Sequence, residues 1–206
     1  VDAQPVEGKT ADIAISGGTY SSDVSAYCVD GFTATPNTDG TYGITEVGDA
    51  MLVYADSYTG VKTGDKVEID MTQKKLNKVF INTDVENVDV TLTKAYDNTG
   101  WNSFYVPFDI TLTEEMTSKF NFAELYNTSL TSLNDAQEQN VVVTFRTLKA
   151  GDKLSAYFPC LIQSTAIGTQ SLTAQGVTLK SNTKVAPIVT TSTKEKYTYN
   201  GVMEKT

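Results

Sequence analysis

The stretch Phe32-Thr33-Ala34-Thr35-Pro36-Asn37-Thr38-Asp39-Gly40-Thr41-Tyr42-Gly43-Ile44-Thr45 decides the fold class. Two short runs rich in Thr, Phe, Tyr and Ile flank a polar Pro-Asn-Thr-Asp-Gly segment. Such side chains suit a pleated, half-buried surface. The Asp-Gly pair supplies the residue that takes positive φ, so the segment predicts a β-hairpin. Upstream, Asp12-Ile13-Ala14-Ile15-Ser16 alternates with period 2 and predicts a strand that Gly17-Gly18 breaks. Ser21-Ser22-Asp23 then predicts a capped helical turn over residues 24–27.

Downstream the same rhythm continues. Met51-Leu52-Val53-Tyr54, Lys66 to Met71, Val79-Phe80-Ile81 and Val88 to Leu92 read as strands, with residues 58–65 rich in turn formers. Trp101 to Ile110 is the most apolar region, and Pro107 makes part of it an edge, bend or bulge. Thr113 is an N-cap, with Glu114 and Glu115 in the first turn and Met116, Phe120 and Ala123 at helical spacing, so one helix is expected. Val141 to Phe145 predicts a buried strand, and Leu154 to Ile162 a strand containing Pro159. Ser171 to Thr173 and Val177 to Leu179 are expected to flank a Gln175-Gly176 turn. Val185 to Val189 and Tyr197 to Tyr199 close the chain as strands.

Short strands at regular spacing with one brief helix predict an all-β fold. The expected order is the end of a β-solenoid, or a β-hairpin region, over residues 1–86, followed by an antiparallel β-sandwich with one short helix over 87–206.

Composition narrows the chemistry. The chain has 206 residues, 25 acidic and 16 basic, a net charge of −9, no histidine and one arginine, Arg146. A negative surface almost without arginine argues against nucleic acid as a partner. The missing histidine removes Ser-His-Asp and Cys-His mechanisms and histidine-bearing zinc sites. No apolar run approaches the ~20 residues of a membrane helix. Threonine is unusually common, at 31 residues. Cys28 and Cys160 each sit in an apolar stretch, and two buried free thiols are expected in preference to a disulfide. Val1-Asp2-Ala3-Gln4-Pro5 is not a signal peptide, which is compatible with a signal already removed or with a piece of a longer chain.

Two segments carry a family resemblance. Val88-Asp89-Val90-Thr91-Leu92-Thr93-Lys94 is followed by Gly100-Trp101-Asn102-Ser103-Phe104-Tyr105-Val106-Pro107-Phe108-Asp109-Ile110, by Lys149-Ala150-Gly151-Asp152 and by Tyr157-Phe158-Pro159-Cys160-Leu161-Ile162. With Tyr199-Asn200-Gly201, this order resembles a β-sandwich domain towards the C-termini of large secreted and cell-surface proteins of gut Bacteroidetes. The likeness spans residues 87–206; Lys153 to Phe158 is an insertion relative to that pattern. Separately, Ile15 to Phe32 resembles a segment that closes right-handed β-helices in adhesin-like bacterial proteins. That likeness implies that residues 11–46 are a last rung and cap. Together the resemblances imply an extracellular or outer-surface location and an adhesive or structural role.

The acidic and aromatic candidates each have a plainer reading. Asp65, Glu68 and Asp70 offer oxygens for Ca²⁺, but a solvated strand face is preferred. Glu114 and Glu115 are taken as helix-start charges, not glycosidase carboxylates. Trp101, with Tyr105 and Phe108, is a candidate sugar-stacking platform, although core packing is the preferred reading of Trp101. Asn127-Thr128-Ser129 fits a glycosylation acceptor that a bacterium is expected to leave unused. No catalytic, metal or cofactor residue is singled out. The expected partners are a host or bacterial surface glycan or protein, or further copies joined through edge strands. A carbohydrate-binding module and a fibre or pilus subunit, its first ten residues or last strand completing a neighbour's sheet, are the alternatives.

Overall fold

A computed structural model describes residues 13–72, 76–130 and 140–182, and the strands at 188–191 and 196–199. The protein is mostly β, built of several antiparallel sheets with one short α-helix among the described residues. The expected polar tail at 1–10, the start of the Val185 strand and Asn200-Gly201 lie outside the described residues.

β1 (Thr19–Tyr20), β2 (Phe32–Pro36) and β3 (Tyr42–Glu46) form an antiparallel sheet in the order β1-β3-β2. The predicted hairpin is β2-β3, with Thr35 opposite Gly43 and Pro36 opposite Tyr42. Its turn closes because Asp39 Oδ1 accepts from Thr41 N at 2.9 Å, while Gly40 takes φ +82°. The turn after Asp23 is a 3-10 helix over Ser25–Tyr27, and Asp23 Oδ1 accepts from Ser25 N at 2.9 Å. Of the strand expected over 12–16, the described residues 13–16 show a single parallel bridge between Ile15 and Cys28. A solenoid rung needs continuous parallel pairing; here strands β1 to β3 pair antiparallel, the one parallel contact is the Ile15–Cys28 bridge, and the described residues contain no solenoid, leaving the hairpin alternative.

β4 (Ala50–Tyr54), β5 (Tyr58–Val61), β6 (Lys66–Asp70), β7 (Leu76–Ile81) and β8 (Val85–Tyr96) follow. Residues 58–61, expected as turn, pair with β4 as its edge strand. β4 is the middle of β5-β4-β7 and is buried along its whole length. Its alternate residues face opposite ways. Ala50, Leu52 and Tyr54 join the main core, while Met51 and Val53 pack with Val47 and Phe80 in a smaller cluster.

β9 (Trp101–Phe104), β10 (Ile110–Thr111), α1 (Glu114–Lys119), β11 (Phe120–Leu130), β12 (Val141–Leu148), β13 (Lys153–Leu154), β14 (Cys160–Ser164) and β15 (Gly168–Leu179) complete the core region. β16 (Ile188–Thr191) and β17 (Lys196–Tyr199) form a final antiparallel pair. Two sheets, β12-β11-β14-β9 and β15-β8-β6, contribute facing side chains to one core with β4, β5 and β7. Tyr96 of β8 meets Phe120 of β11 with ring centroids 6.0 Å apart. Phe108, Phe120 and Phe122 are almost wholly buried. Each contributes roughly 1.5–3 kcal/mol through burial. The division expected after residue 86 falls within β8, and residues from both sides share this core.

The helix begins as predicted: Thr113 Oγ1 accepts from Met116 N at 3.2 Å. It stops earlier than predicted. Phe120 and Ala123 belong to β11, where Phe120 pairs with Ser164 and Ala123 with Leu161. Three further expectations are corrected. Residues 171–179 form one strand, not two; the extra residue between Ala174 and Val177 is absorbed as a β-bulge with Gly176 at φ +58°. Residues 154–162 form two strands, because Tyr157 at φ +58° bends the chain between β13 and β14. Val141, Val142 and Val143 are not buried: successive residues point to opposite faces, and at this end of β12, an edge strand among the described residues, both faces are exposed.

Candidate functional site

β9 lies at the other edge of the four-stranded sheet. Its residues alternate in burial: Trp101 and Ser103 are exposed while Asn102 and Phe104 are partly buried. Trp101 is therefore not a core residue: it is 44% exposed. Gln163 of β14 lies directly opposite it in register, and Asn121 of β11 lies opposite Gln163. Residues directly opposite one another share a face. The result is an indole–amide–amide row across three strands. Asn121 Nδ2 donates to Gln163 Oε1 at 2.9 Å, and Gln163 Nε2 donates to the Thr99 carbonyl at 2.7 Å. These bonds fix the Gln163 amide next to the ring and the Asn121 amide one strand further on.

Tyr105 follows the end of β9 and turns to Tyr157, with ring centroids 5.7 Å apart. It is half-buried, and burial raises its phenol above the ordinary value. Phe108, 1% exposed, is part of the core. The outward surface thus consists of Trp101 and its amides, with Tyr105 contributing to the interior.

Between the sheets lies a cavity of about 300 Å³. Its walls include Leu52, Ile69, Leu92, Phe104, Phe120 and Ile162. Leu92, Ile69, Leu76 and Phe104 are only partly buried, although they pack on the core. Two neighbouring side chains of this lining, Lys94 and Gln170, are polar. Along β8 the inward-facing series runs Val88, Val90, Leu92, Lys94, Tyr96, so a lysine occupies an apolar phase. Gln170 lies directly across from Lys94 on β15 and also lines the cavity. Lys94 Nζ donates to Asn102 Oδ1 at 3.2 Å and stands 5.3 Å from the centre of the Tyr96 ring. The signal for this site lay in the sequence as the phase of Lys94 among Val88, Val90 and Leu92, which the strand reading did not use.

The other acidic candidates serve local structure. Asp65 Oδ2 accepts from Lys62 N at 2.8 Å, and Asp70 Oδ1 accepts from Thr72 N at 2.8 Å. Among the described residues no three acidic or cysteine side chains gather as a metal site. Glu115 accepts from Lys119 Nζ at 2.8 Å, and this cation holds its carboxyl below the ordinary range. Asn127 is exposed on β11, with Thr128 buried beside it. Both cysteines are free thiols, Cys160 buried and Cys28 partly so. Comparison of the chain with protein-family models, curated proteins and solved structures finds no match.

Proposed function

We propose that this chain is a non-enzymatic module of a secreted or cell-surface bacterial protein, with an adhesive or structural role exerted through the edge of its four-stranded sheet. The observation that carries the reading is β12. Among the described residues it ends the sheet, and Val141, Val142 and Val143 are 48%, 40% and 41% exposed. Native edge strands are usually blunted by charge, proline or a covering element, and an apolar edge is a template for another strand. The absence of histidine and the likeness of residues 87–206 to surface-protein sandwiches support the same reading. Sedimentation velocity over a concentration series tests it. The wild type is expected to associate as concentration rises, and Val142→Lys or Val143→Pro to remain monomeric. A wild type that stays monomeric throughout, and gains no partner when offered an extended Val-rich peptide, would rule out the edge.

Trp101 favours a second reading, a carbohydrate-binding face. An exposed indole offers an apolar stacking surface, and the amides of Gln163 and Asn121 offer hydrogen-bonding groups beside it. A glycan array separates the two readings: binding lost in Trp101→Ala but kept in Val142→Lys supports the sugar face.

A further inference from the structure

We propose that the cavity between the sheets binds a medium-chain amphiphile with a carboxylate head, its chain among Leu52, Ile69, Leu92 and Phe104 and its head at Lys94. Three observations lead there. First, the walls are predominantly aliphatic and aromatic, and the volume is about 300 Å³. An apolar cavity of ~150 Å³ stays dry and takes up benzene, so twice that volume suits roughly twelve heavy atoms, the size of decanoate. Second, a lysine stands at an inward-facing position of β8, half-buried, between Leu92 and Tyr96. A cation taken from water is costly unless paired. Among the described residues its ammonium has no carboxylate partner, only Asn102 Oδ1 and the Tyr96 ring. Third, Gln170 faces the cavity directly across from Lys94, which places an amide beside the ammonium. An ammonium facing an amide across neighbouring strands, within an otherwise apolar pocket, matches an anionic head on an apolar tail.

The site is distinct from both the β12 edge and the outward Trp101 row. Titrating the full chain with decanoate and with decan-1-ol, followed by calorimetry and methyl NMR, tests it. Decanoate is expected to saturate one site, to shift the methyl resonances of Ile69, Leu92 and Ile162, and to bind more tightly than the alcohol. Lys94→Met keeps an apolar inward position. It is expected to weaken decanoate by about tenfold or more, the loss of one charge-assisted contact, and to leave decan-1-ol little changed. Lys94→Arg is expected to retain binding. No saturable binding of either probe, shifts confined to methyls outside the cavity, or equal decanoate affinity in wild type and Lys94→Met would each overturn the proposal.

Discussion

Single side chains hold the loops of this protein, and Asp109 shows how. Its Oδ1 accepts from Ala156 N at 2.9 Å, and its other oxygen pairs with Lys153 Nζ at 2.9 Å. It thereby ties the Pro-Phe-Asp segment to the bend between β13 and β14. The Ala156 amide and then the Lys153 cation hold its carboxyl below the ordinary carboxylate range. A lowered folded-state value means that this stabilisation is present above the ordinary value and is lost as pH falls through the folded one. Asp84, lowered by the Ser181 amide, acts with the same sign. Stability is therefore expected to fall below about pH 4, and Asp109→Ala to cost about 1–2 kcal/mol at neutral pH while reducing that acid sensitivity. Urea unfolding at pH 7 and at pH 3 measures both. The thiols give a second test. Burial, and then Glu124, push Cys160 up to about 12, while burial and Asp23 raise Cys28. At pH 8 Cys160 is therefore held almost entirely as the thiol. Ellman's reagent is expected to titrate Cys28 slowly in the native protein and Cys160 only after unfolding. Two fast thiols in the native state would contradict the packing around β14.

At the scale of elements, β15 shows what a bulge contributes. Between Ala174, opposite Val90, and Val177, opposite Val88, one extra residue is accommodated. Gly176 takes φ +58°, and its N–H donates to Asp89 Oδ1 at 2.9 Å. A Cβ there would meet Asn87 Oδ1 at 3.6 Å, an ordinary contact, so the cost of Gly176→Ala is conformational. It is expected to be about 1 kcal/mol, read from the urea midpoint. The same Gln175-Gly176 pair suggests a turn when read alone, because local chemistry does not distinguish a reversal from a bulge; the antiparallel partner β8 does. The elements whose signals are local were legible. Asp39-Gly40 marks the β2-β3 turn, and Thr113 marks the start of α1. Elements decided by distant neighbours were not. The valines at 141–143 suit a buried strand, yet only the sheet order places them at an edge. Helical spacing from Met116 to Phe120 was overridden by the pairing of Phe120 with Ser164. The candidate site was legible to the same degree: Trp101 was named, but Gln163 and Asn121 join it only through register, 62 and 20 residues further on (163 − 101 and 121 − 101).

For the whole molecule, the question is whether residues 1–86 and 87–206 unfold separately, and the segment from Leu179 to Asn182 argues that they do not. Leu179 bridges Phe108, and Lys180 N donates to the Pro107 carbonyl at 2.6 Å. The Lys180 carbonyl accepts from the Tyr157 hydroxyl. Ser181 N donates to Asp84 Oδ1 at 2.7 Å. Asn182 continues the edge of β7: its Oδ1 accepts from Ile81 N at 3.1 Å and its Nδ2 donates to the Val79 carbonyl at 2.8 Å. Four residues thus join strands from the early, middle and late parts of the chain, above a core that includes Leu52, Ile81, Val90 and Phe122 together. A shared core with such ties is expected to unfold as one cooperative unit. Differential scanning calorimetry is therefore expected to show one transition. Ile81→Ala, on the early side, is expected to cost about 2–5 kcal/mol, and Phe122→Ala, on the late side, about 3–5 kcal/mol. Each is expected to lower that same transition. Asn182→Ala strips the side-chain partners from two backbone groups of β7 and is expected to cost about 1–3 kcal/mol, again from the one peak. Two resolved transitions, one moved only by Ile81→Ala and the other only by Phe122→Ala, would instead establish two independent units. In that case Asn182→Ala would alter their coupling and leave each midpoint nearly unchanged, so the third variant separates a shared core from a mere tether.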